Sequence, residues 1–278
     1  MQLFLRKIFN NLSQPLKIPI KLLNKFLNIY FFFRYSLNYN ENYYANLQEE
    51  KFKKINLNRA EGLEKLNNIK SKYSFIESQM SSEHQAIMAA ISVNKRLEIK
   101  KILEIGTFDG KNTFLLSQLF SEAEITTLDL EDDSSDFKKY YDRENLEKRK
   151  NFIFERNKIL QMSKKIKFIQ KNSVKLIFDQ EKYDLIWIDG AHGYPVVTID
   201  IINALRLINK NGIILCDDIY INKIKDVDEM YNSNASYETL KTLKSSGLLD
   251  YNLLFKRLDK KNNSVPSKRK YVGFIEQI

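Results

Sequence analysis

An aspartate and a histidine end one apolar segment of the chain, and two adjacent aspartates end another. The first pair is Asp189 and His192, and the second is Asp217 and Asp218. If the segments are neighbouring strands of a parallel sheet, their carboxyl ends bring the three carboxylates together, where they repel one another unless a cation neutralises them. Oxygen ligands of this type favour Mg²⁺ or a similar hard ion. The pattern predicts a metal site; the alternative is that Asp189 caps a helix and the other two face water.

A second group of residues surrounds a glycine turn. An apolar run that contains Glu104 is followed by Gly106 and Gly110 and then by helical spacing, which is the opening unit of a doubly wound α/β fold. A dinucleotide site would need glycine where Phe108 stands, so that the backbone could approach a pyrophosphate. Asp109 would repel a pyrophosphate. The two acids suit a cationic ligand instead.

S-adenosylmethionine (SAM) is such a ligand, because it carries a sulfonium and an ammonium and no phosphate. Its ribose needs an acceptor. Asp129 ends the next predicted strand, about 20 residues past the turn, where an acid commonly accepts ribose hydroxyls. The turn alone is also compatible with a structural βα connection that binds no ligand.

Two stretches resemble known enzymes. The sequence E-I-G-T-F-D-G-K-N-T at 104–113 resembles motif I of class I SAM-dependent methyltransferases, and more narrowly that of metal-dependent O-methyltransferases. The run 188–218, with I-D-G-A-H-G-Y and G-I-I-L-C-D-D, closely resembles a group that includes sugar O-methyltransferases of macrolide pathways and cephalosporin-hydroxylase-like proteins. The resemblance covers roughly 81–278. It implies a Rossmann-like α/β fold with a doubly wound, seven-stranded, mostly parallel sheet.

The resemblance also implies roles for individual residues. In the family, the acids after the fourth and fifth strands bind a divalent metal, here Asp189, Asp217 and Asp218. The histidine three residues after the first acid, His192, is the proposed general base. Residues expected to bind the cofactor by position are Glu104, Gly106, Thr107, Phe108, Gly110, Thr113, Asp129, Asn172, Ser173 and Asp189.

The elements that must position these residues follow from hydrophobic periodicity. Apolar spacing predicts strands at 102–105, 124–130, 166–170, 183–188, 213–216, 251–255 and 270–275, and helices after Ser81 or Ser82, after Gly110, after Pro195 and over 240–249. The last two strands form a hairpin that resembles the reversed seventh strand of the methyltransferase sheet. The charged stretch 131–165 predicts helices, either as part of a lid over the substrate or as a solvated excursion.

The segment 1–71 predicts a basic, aromatic-rich helical arm with a polar, aromatic linker at 38–44, which leaves 72–278 as the methyltransferase domain. On a helical wheel, Leu22, Phe26, Ile29, Tyr30 and Phe33 share one face. One interpretation is a peripheral contact with anionic lipids at the inner membrane face. The other is packing on the catalytic domain or on a second subunit in a homo-oligomer. Basic residues interrupt every apolar run before the length of about 20 residues that a membrane span needs.

Composition narrows the class of protein. The chain of 278 residues carries a net charge of +10, which suits anionic partners but also accompanies a general richness in Lys, Asn and Ile. Its single cysteine, Cys216, excludes an intrachain disulfide and favours a reducing cytoplasm. Nucleic acid is not expected as a partner, because the basic residues are spread out and Asp-Gly-Ala-His at 189–192 replaces a base-flipping motif.

These observations predict a metal-assisted, SAM-dependent O-methyltransferase. Its acceptor is the hydroxyl of a small molecule, such as a sugar, a glycan or a natural-product intermediate. Two alternatives remain open: a hydroxylase-like enzyme that shares the signature, and a non-catalytic, membrane-associated protein on the same fold.

Overall fold

The computed structural model of the chain describes residues 26, 29–30, 33–76, 82–222 and 233–278. Its strands form one sheet in the order β3-β2-β1-β4-β5-β7-β6. Pairings are parallel except for those of β7 with β5 and β6, which are antiparallel. The strands are β1 (Lys101–Ile105), β2 (Glu124–Asp129), β3 (Ile166–Gln170), β4 (Tyr183–Ile188), β5 (Ile208–Ile219), β6 (Leu249–Phe255) and β7 (Tyr271–Gln277).

Helices connect these strands. They are α1 (Glu41–Lys54), α2 (Arg59–Lys72), α3 (Glu83–Val93), α4 (Lys111–Leu119), α5 (Ser135–Tyr140), α6 (Leu146–Leu160), α7 (Val196–Leu207), α8 (Ala235–Ser245) and the short α9 (Lys260–Asn263). The predicted seven-stranded, mostly parallel sheet with a reversed last strand is confirmed. β4 lies between β1 and β5, so the ends of these three strands form one edge, as the sequence argument required.

The sheet is buried on both faces, which is why its central strands read as nearly continuous apolar runs. On one face, Ile102 and Trp187 join a core cluster with residues of α3 and α4. On the other, Ile186 packs in a second cluster with Val197 and Ile201 of α7. The alternation along β1 and β4 therefore fixes which side chains can reach the carboxyl edge.

Helices α1 and α2 belong to the segment assigned to the arm, yet they contribute to the first core cluster. Phe52 and Leu66 are buried there. The linker predicted at 38–44 is wrong from Glu41 onward. Asn40 caps α1, because its side chain accepts a backbone N–H hydrogen bond at 3.0 Å.

The arm prediction falls partly outside the described residues, since 1–25 include Leu22. At the described positions Phe26, Ile29, Tyr30 and Phe33 are helical and their side chains are exposed. Among the described helices, none combines the length and the apolar character that crossing a bilayer requires.

The helices predicted in 131–165 are confirmed as α5 and α6. Helix α6 packs against α4, and the buried Arg156 holds Asp132 through two hydrogen bonds of 2.6 and 2.9 Å. The last crossover helix ends earlier than predicted, at Ser245 rather than 249, because Gly247 has a φ of 72° and β6 starts two residues later. Ser81 lies outside the described residues; Ser82 is the N-cap of α3.

Candidate active site

The turn after β1 is held against the end of β4. Gly106 has a φ of 103°, and a Cβ there would lie 2.3 Å from the carbonyl oxygen of Asp189. Only glycine combines this backbone conformation with such a close approach. Gly110, with a φ of 77°, occupies the N-cap position of α4. The predicted glycine turn thus brings the first motif directly beside the second.

Glu104 lies behind this turn, fully buried. Its carboxylate accepts hydrogen bonds from Asn112 at 2.8 Å, from Thr127 at 2.7 Å and from Thr113. Thr107 joins the same network through Thr127, with 2.6 Å between the two hydroxyl oxygens. Burial raises the pKa of Glu104 to about 7, although these hydrogen bonds oppose the shift. The network ties β1, β2 and α4 together and so supports the turn from behind.

Asp129 ends β2 on the open side of the turn. Its carboxylate accepts the backbone N–H groups of Phe108 at 2.8 Å and Leu130 at 2.7 Å, and the hydroxyl of Tyr141 at 3.0 Å. Burial raises its pKa, and the two amide bonds oppose that rise. The carboxylate is therefore fixed in orientation at the position where ribose hydroxyls would be accepted.

A cavity of about 270 Å³ opens beside Asp129, close to the lower end of the range of about 300–1,000 Å³ typical of ligand pockets. Its lining is mixed: small residues from the loop after β4, leucines, and polar groups after β3. The lining residues are Ile105, Gly106, Leu128, Asp129, Leu130, Asp136, Tyr140, Tyr141, Lys171, Asn172, Ser173, Gly190, Ala191, Gly193, Tyr194 and Val196.

Eight of the ten predicted cofactor-binding residues divide into two groups, and Phe108 and Asp189 are described below. Four of them line this cavity: Gly106, Asp129, Asn172 and Ser173. Glu104, Thr107, Gly110 and Thr113 lie behind the turn, where they shape it. A cavity of mixed lining, with the Asp129 carboxylate fixed in orientation and Lys171 as the single basic residue of the lining, fits the nucleoside part of SAM.

Phe108 takes a different place from the one that its position in the motif suggested. Its φ is 48°, and its ring packs against Tyr141 at 5.3 Å and Phe152 at 5.4 Å. The side chain lines a neighbouring cleft of about 1010 Å³ along α6. The phenyl ring thus leaves the cavity beside Asp129 open, and only the Phe108 amide serves that side.

The histidine and the three aspartates come together at the carboxyl edge, as predicted. His192 Nε2 lies 3.6 Å from Asp189 Oδ1 and 4.0 Å from Asp218 Oδ2. Asp217 is buried, and its charge acts on Asp189. Asp218 adopts a φ of 52°, which turns its carboxylate toward the others.

Sequence reasoning missed two lysines in this cluster. Lys256 Nζ lies 2.5 Å from Asp217 Oδ2 and also contacts Asp218 Oδ1. Lys270 Nζ lies 2.5 Å from Asp218 Oδ2. The antiparallel return of β7 explains their arrival, because Tyr271 is paired with both Ile219 of β5 and the last residue of β6. The only sequence signal was a lysine at each end of the predicted hairpin loop.

The metal ion predicted at Asp189, Asp217 and Asp218 stays a prediction. The acids converge, but the Lys256 ammonium lies between two of them, where the ion was expected. In the described ranges, no three acidic, histidine or cysteine side chains are placed to hold a metal ion. The residues present do not fit a divalent ion, because Lys256 and Lys270 engage both oxygens of Asp218 and one oxygen of Asp217.

The cluster sets the protonation of its members. Burial, reinforced by the charge of Asp217, raises the pKa of Asp189 well above its usual value. Burial lowers the pKa of His192. Burial alone would raise the pKa of Asp218, but the ammonium groups of Lys256 and Lys270 hold it well below its usual range. His192 is therefore neutral at pH 7, and Asp218 is ionised between two ammonium groups.

Two further atoms in the cluster are available for a ligand. His192 Nδ1 and Asp217 Oδ1 are buried, and neither has a hydrogen-bond partner within the part of the chain that the structure describes.

A second histidine, His84, stacks on Trp187 with 5.2 Å between the ring centroids. Burial lowers the pKa of His84 to about 4, so it is neutral as well. The position of His84 in the first turn of α3 is typical of a surface or capping residue, yet its side chain is buried.

Comparison with known proteins agrees with this geometry. The family described as "Methyltransferase domain" matches residues 103–219, which run from β1 to the end of β5. The O-methyltransferase TomG from Streptomyces achromogenes, involved in tomaymycin synthesis and solved with SAM, is 11% identical, with a TM-score of 0.51 over 77% of this chain and 89% of its own. Cofactor-bound Rv0187 from MTB is 15% identical, with a TM-score of 0.51 over 78% and 88% of the respective chains. No curated protein matches the sequence.

Identities this low show a shared fold alone. The family match adds the activity, because it spans the glycine turn, Asp129 and the three aspartates. Lys256 and Lys270 lie beyond the matched residues. The sheet order, the glycine turn and the match of residues 103–219 together support a class I, SAM-dependent methyltransferase domain in this chain.

Proposed function

We propose that this enzyme transfers the methyl group of SAM to a hydroxyl of a small molecule. The observation that carries the proposal is the loop after β4. Gly190, Ala191, Gly193 and Tyr194 of this loop line the cofactor cavity, while His192 between them meets the acidic cluster. His192, the base in this proposal, is therefore flanked in the sequence by two residues that line the cofactor cavity, and we place the acceptor on its side of the cavity.

SAM supplies an electrophilic methyl group on a sulfonium. The chain's own contribution is to align the two reacting atoms and to remove one proton. His192, neutral at pH 7, accepts the acceptor's hydroxyl proton at a ring nitrogen while the oxygen–carbon bond forms and the carbon–sulfur bond breaks. The proton then leaves to solvent, so the products are a methyl ether, the neutral thioether and one proton.

The sequence-based proposal of metal assistance is not retained as a step. Mg²⁺ would have polarised the hydroxyl. Here Asp217 and Asp218, two of the three acids that would hold it, are engaged by Lys256 and Lys270. The positive charge near the acceptor is therefore assigned to the protein itself.

The acceptor class follows from the polarity of the cluster. Carboxylate oxygens, two ammonium groups and a neutral histidine offer several hydrogen-bond acceptors and donors within a few ångströms of one another. Such a surface suits a polyhydroxylated molecule, so we propose a sugar, a glycan or a natural-product intermediate. A hydroxylase-like or non-catalytic role on the same fold is the alternative.

The test is a turnover assay with methyl-labelled SAM and a panel of hydroxylated acceptors, on the parent enzyme and on His192→Gln. We expect the variant to lose about 100-fold or more in turnover, the scale of general-base catalysis, and to keep its SAM affinity. SAM binding without methylation of any hydroxyl would favour the alternative. Full activity of His192→Gln would remove His192 as the base.

We also propose that the arm contacts anionic lipid. The exposed helical face with Phe26, Ile29, Tyr30 and Phe33 supports this reading, because aromatic residues on one face suit an interfacial helix. Co-sedimentation with phosphatidylcholine vesicles, with and without phosphatidylglycerol, tests it on the full chain and on a Phe26→Ser/Phe33→Ser variant. Binding that needs the anionic lipid and both phenylalanines is expected. A concentration-dependent dimer in light scattering, without vesicle binding, would favour subunit packing instead.

A further inference from the structure

We propose that the ammonium groups of Lys256 and Lys270 take the place of a metal ion in the acidic cluster. The native site therefore excludes divalent metal ions and uses an ammonium group to orient the acceptor hydroxyl. The inference deepens the proposed function, because it assigns the electrophilic partner at the same site. It concerns residues outside the part of the chain that matches the methyltransferase family.

The first argument is position. The Lys256 nitrogen touches one oxygen of Asp217 and one of Asp218, and the Lys270 nitrogen touches the other oxygen of Asp218. Both oxygens of Asp218 and one of Asp217 are thus engaged by ammonium groups. A divalent ion bound to these oxygens would have to displace both lysines and lie against their charge.

The second argument is that Lys256 is fixed in place. It is only 5% exposed, although it is a lysine. Its backbone N–H donates to the carbonyl of Lys270 at 3.0 Å, and its carbonyl accepts the N–H of Glu83 at 2.8 Å. Both backbone groups of Lys256 are therefore held, one by the strand pair and one by the start of α3. These bonds hold Lys256 in place beside the two aspartates.

The third argument is the donor count. An ammonium group has three N–H donors, and Asp217 and Asp218 take two of those of Lys256. One donor remains for an oxygen atom of a ligand. Close by, Asp217 Oδ1 is buried without a partner among the described residues. An acceptor hydroxyl could accept from Lys256 and donate to Asp217 or His192, which would orient its lone pair as a metal ion does in related enzymes.

Mn²⁺ binding tests the inference directly, by electron paramagnetic resonance and by titration calorimetry on the full-length chain. We expect no saturable Mn²⁺ binding to the parent protein at millimolar metal. Lys256→Met keeps the length of the side chain and removes its charge, so we expect it to bind Mn²⁺ at least about tenfold more tightly, because ligand charge sets affinity at such sites. Adding Asp217→Asn to this variant should abolish the gained binding.

The matched control is Lys244→Met, which removes an exposed ion pair with Asp250 and should leave Mn²⁺ binding unchanged. Saturable Mn²⁺ binding to the parent protein that Asp217→Asn abolishes would overturn the inference, and this arm needs no lysine variant to fold. Equal Mn²⁺ binding by the parent and a folded Lys256→Met would overturn it too. Neither readout depends on turnover, so a protein that excludes Mn²⁺ but methylates no hydroxyl would refute the proposed function alone.

Discussion

Replacing Lys256 with methionine should destabilise the protein by removing one partner of a buried ion pair. Asp217 is 1% exposed and loses the one cation that contacts it within the described ranges, whereas Asp218 keeps Lys270 at 2.5 Å. Removing one partner of a buried pair typically costs about 3–5 kcal/mol, and we expect the lower end because one aspartate stays paired. With a urea slope of about 3 kcal/mol/M, the unfolding midpoint should fall by about 1 M.

Urea unfolding at pH 7, followed by circular dichroism, measures this change. Lys244→Met is the control, since its exposed pair should contribute less than about 1 kcal/mol. Adding Asp217→Asn to Lys256→Met removes the stranded charge and should restore at least half of the lost free energy of unfolding. If Lys256→Met lowers that free energy no more than Lys244→Met, the lysine is not the counter-charge of the cluster, and our account of the site fails.

Two further predictions concern the support of the glycine turn. The pKa of Glu104 is raised from 4.5 to about 7 in the folded state, so between these pH values the native state binds more protons than the unfolded state. This residue therefore makes the free energy of unfolding fall as pH rises from about 4.5 to about 7. Glu104→Gln should remove up to about 3 kcal/mol of that fall in urea titrations across this range, and an unchanged pH slope would contradict the assignment. Gly106→Ala should abolish SAM binding or lower the free energy of unfolding by more than about 2 kcal/mol, because its Cβ would lie 2.3 Å from a carbonyl oxygen. The control is Gly247→Ala, at a φ of 72° in open space, which should lower the free energy of unfolding by about 1 kcal/mol. Equal effects of the two substitutions would show that the contact with Asp189 is unimportant.

The sequence predicted the sheet and the position of the site because both depend on local patterns. Apolar runs with period two or continuous burial identify strands, and the carboxyl ends of β1, β4 and β5 must then share an edge. This sufficed to bring Asp189, His192, Asp217 and Asp218 together. The same rule predicts the positions of Asp129 and Gly106, which line the cavity in the structure.

The sequence could not supply the cation, because Lys256 and Lys270 arrive through long-range antiparallel pairing. Their spacing along the chain carries no periodic signal, and the register of β7 on β5 decides which side chain reaches Asp218. The side-chain direction of Glu104 could not be predicted either, because it depends on long-range packing. The sequence favours an acid that faces a cationic ligand. Its side chain instead turns toward Thr113 and Thr127, a direction that depends on how α4 packs against the sheet.

The central claim is that the cavity beside Asp129 binds SAM, and titration calorimetry of SAM tests it most directly. The parent protein should bind SAM with one site, and Asp129→Ala should weaken binding at least about tenfold, because a buried hydrogen bond to a charged group contributes about 1.5–3 kcal/mol. Asp133→Ala, at a carboxylate that is 90% exposed, should leave the affinity unchanged. Equal SAM affinity in the parent and in Asp129→Ala, or no SAM binding at all, would contradict the account.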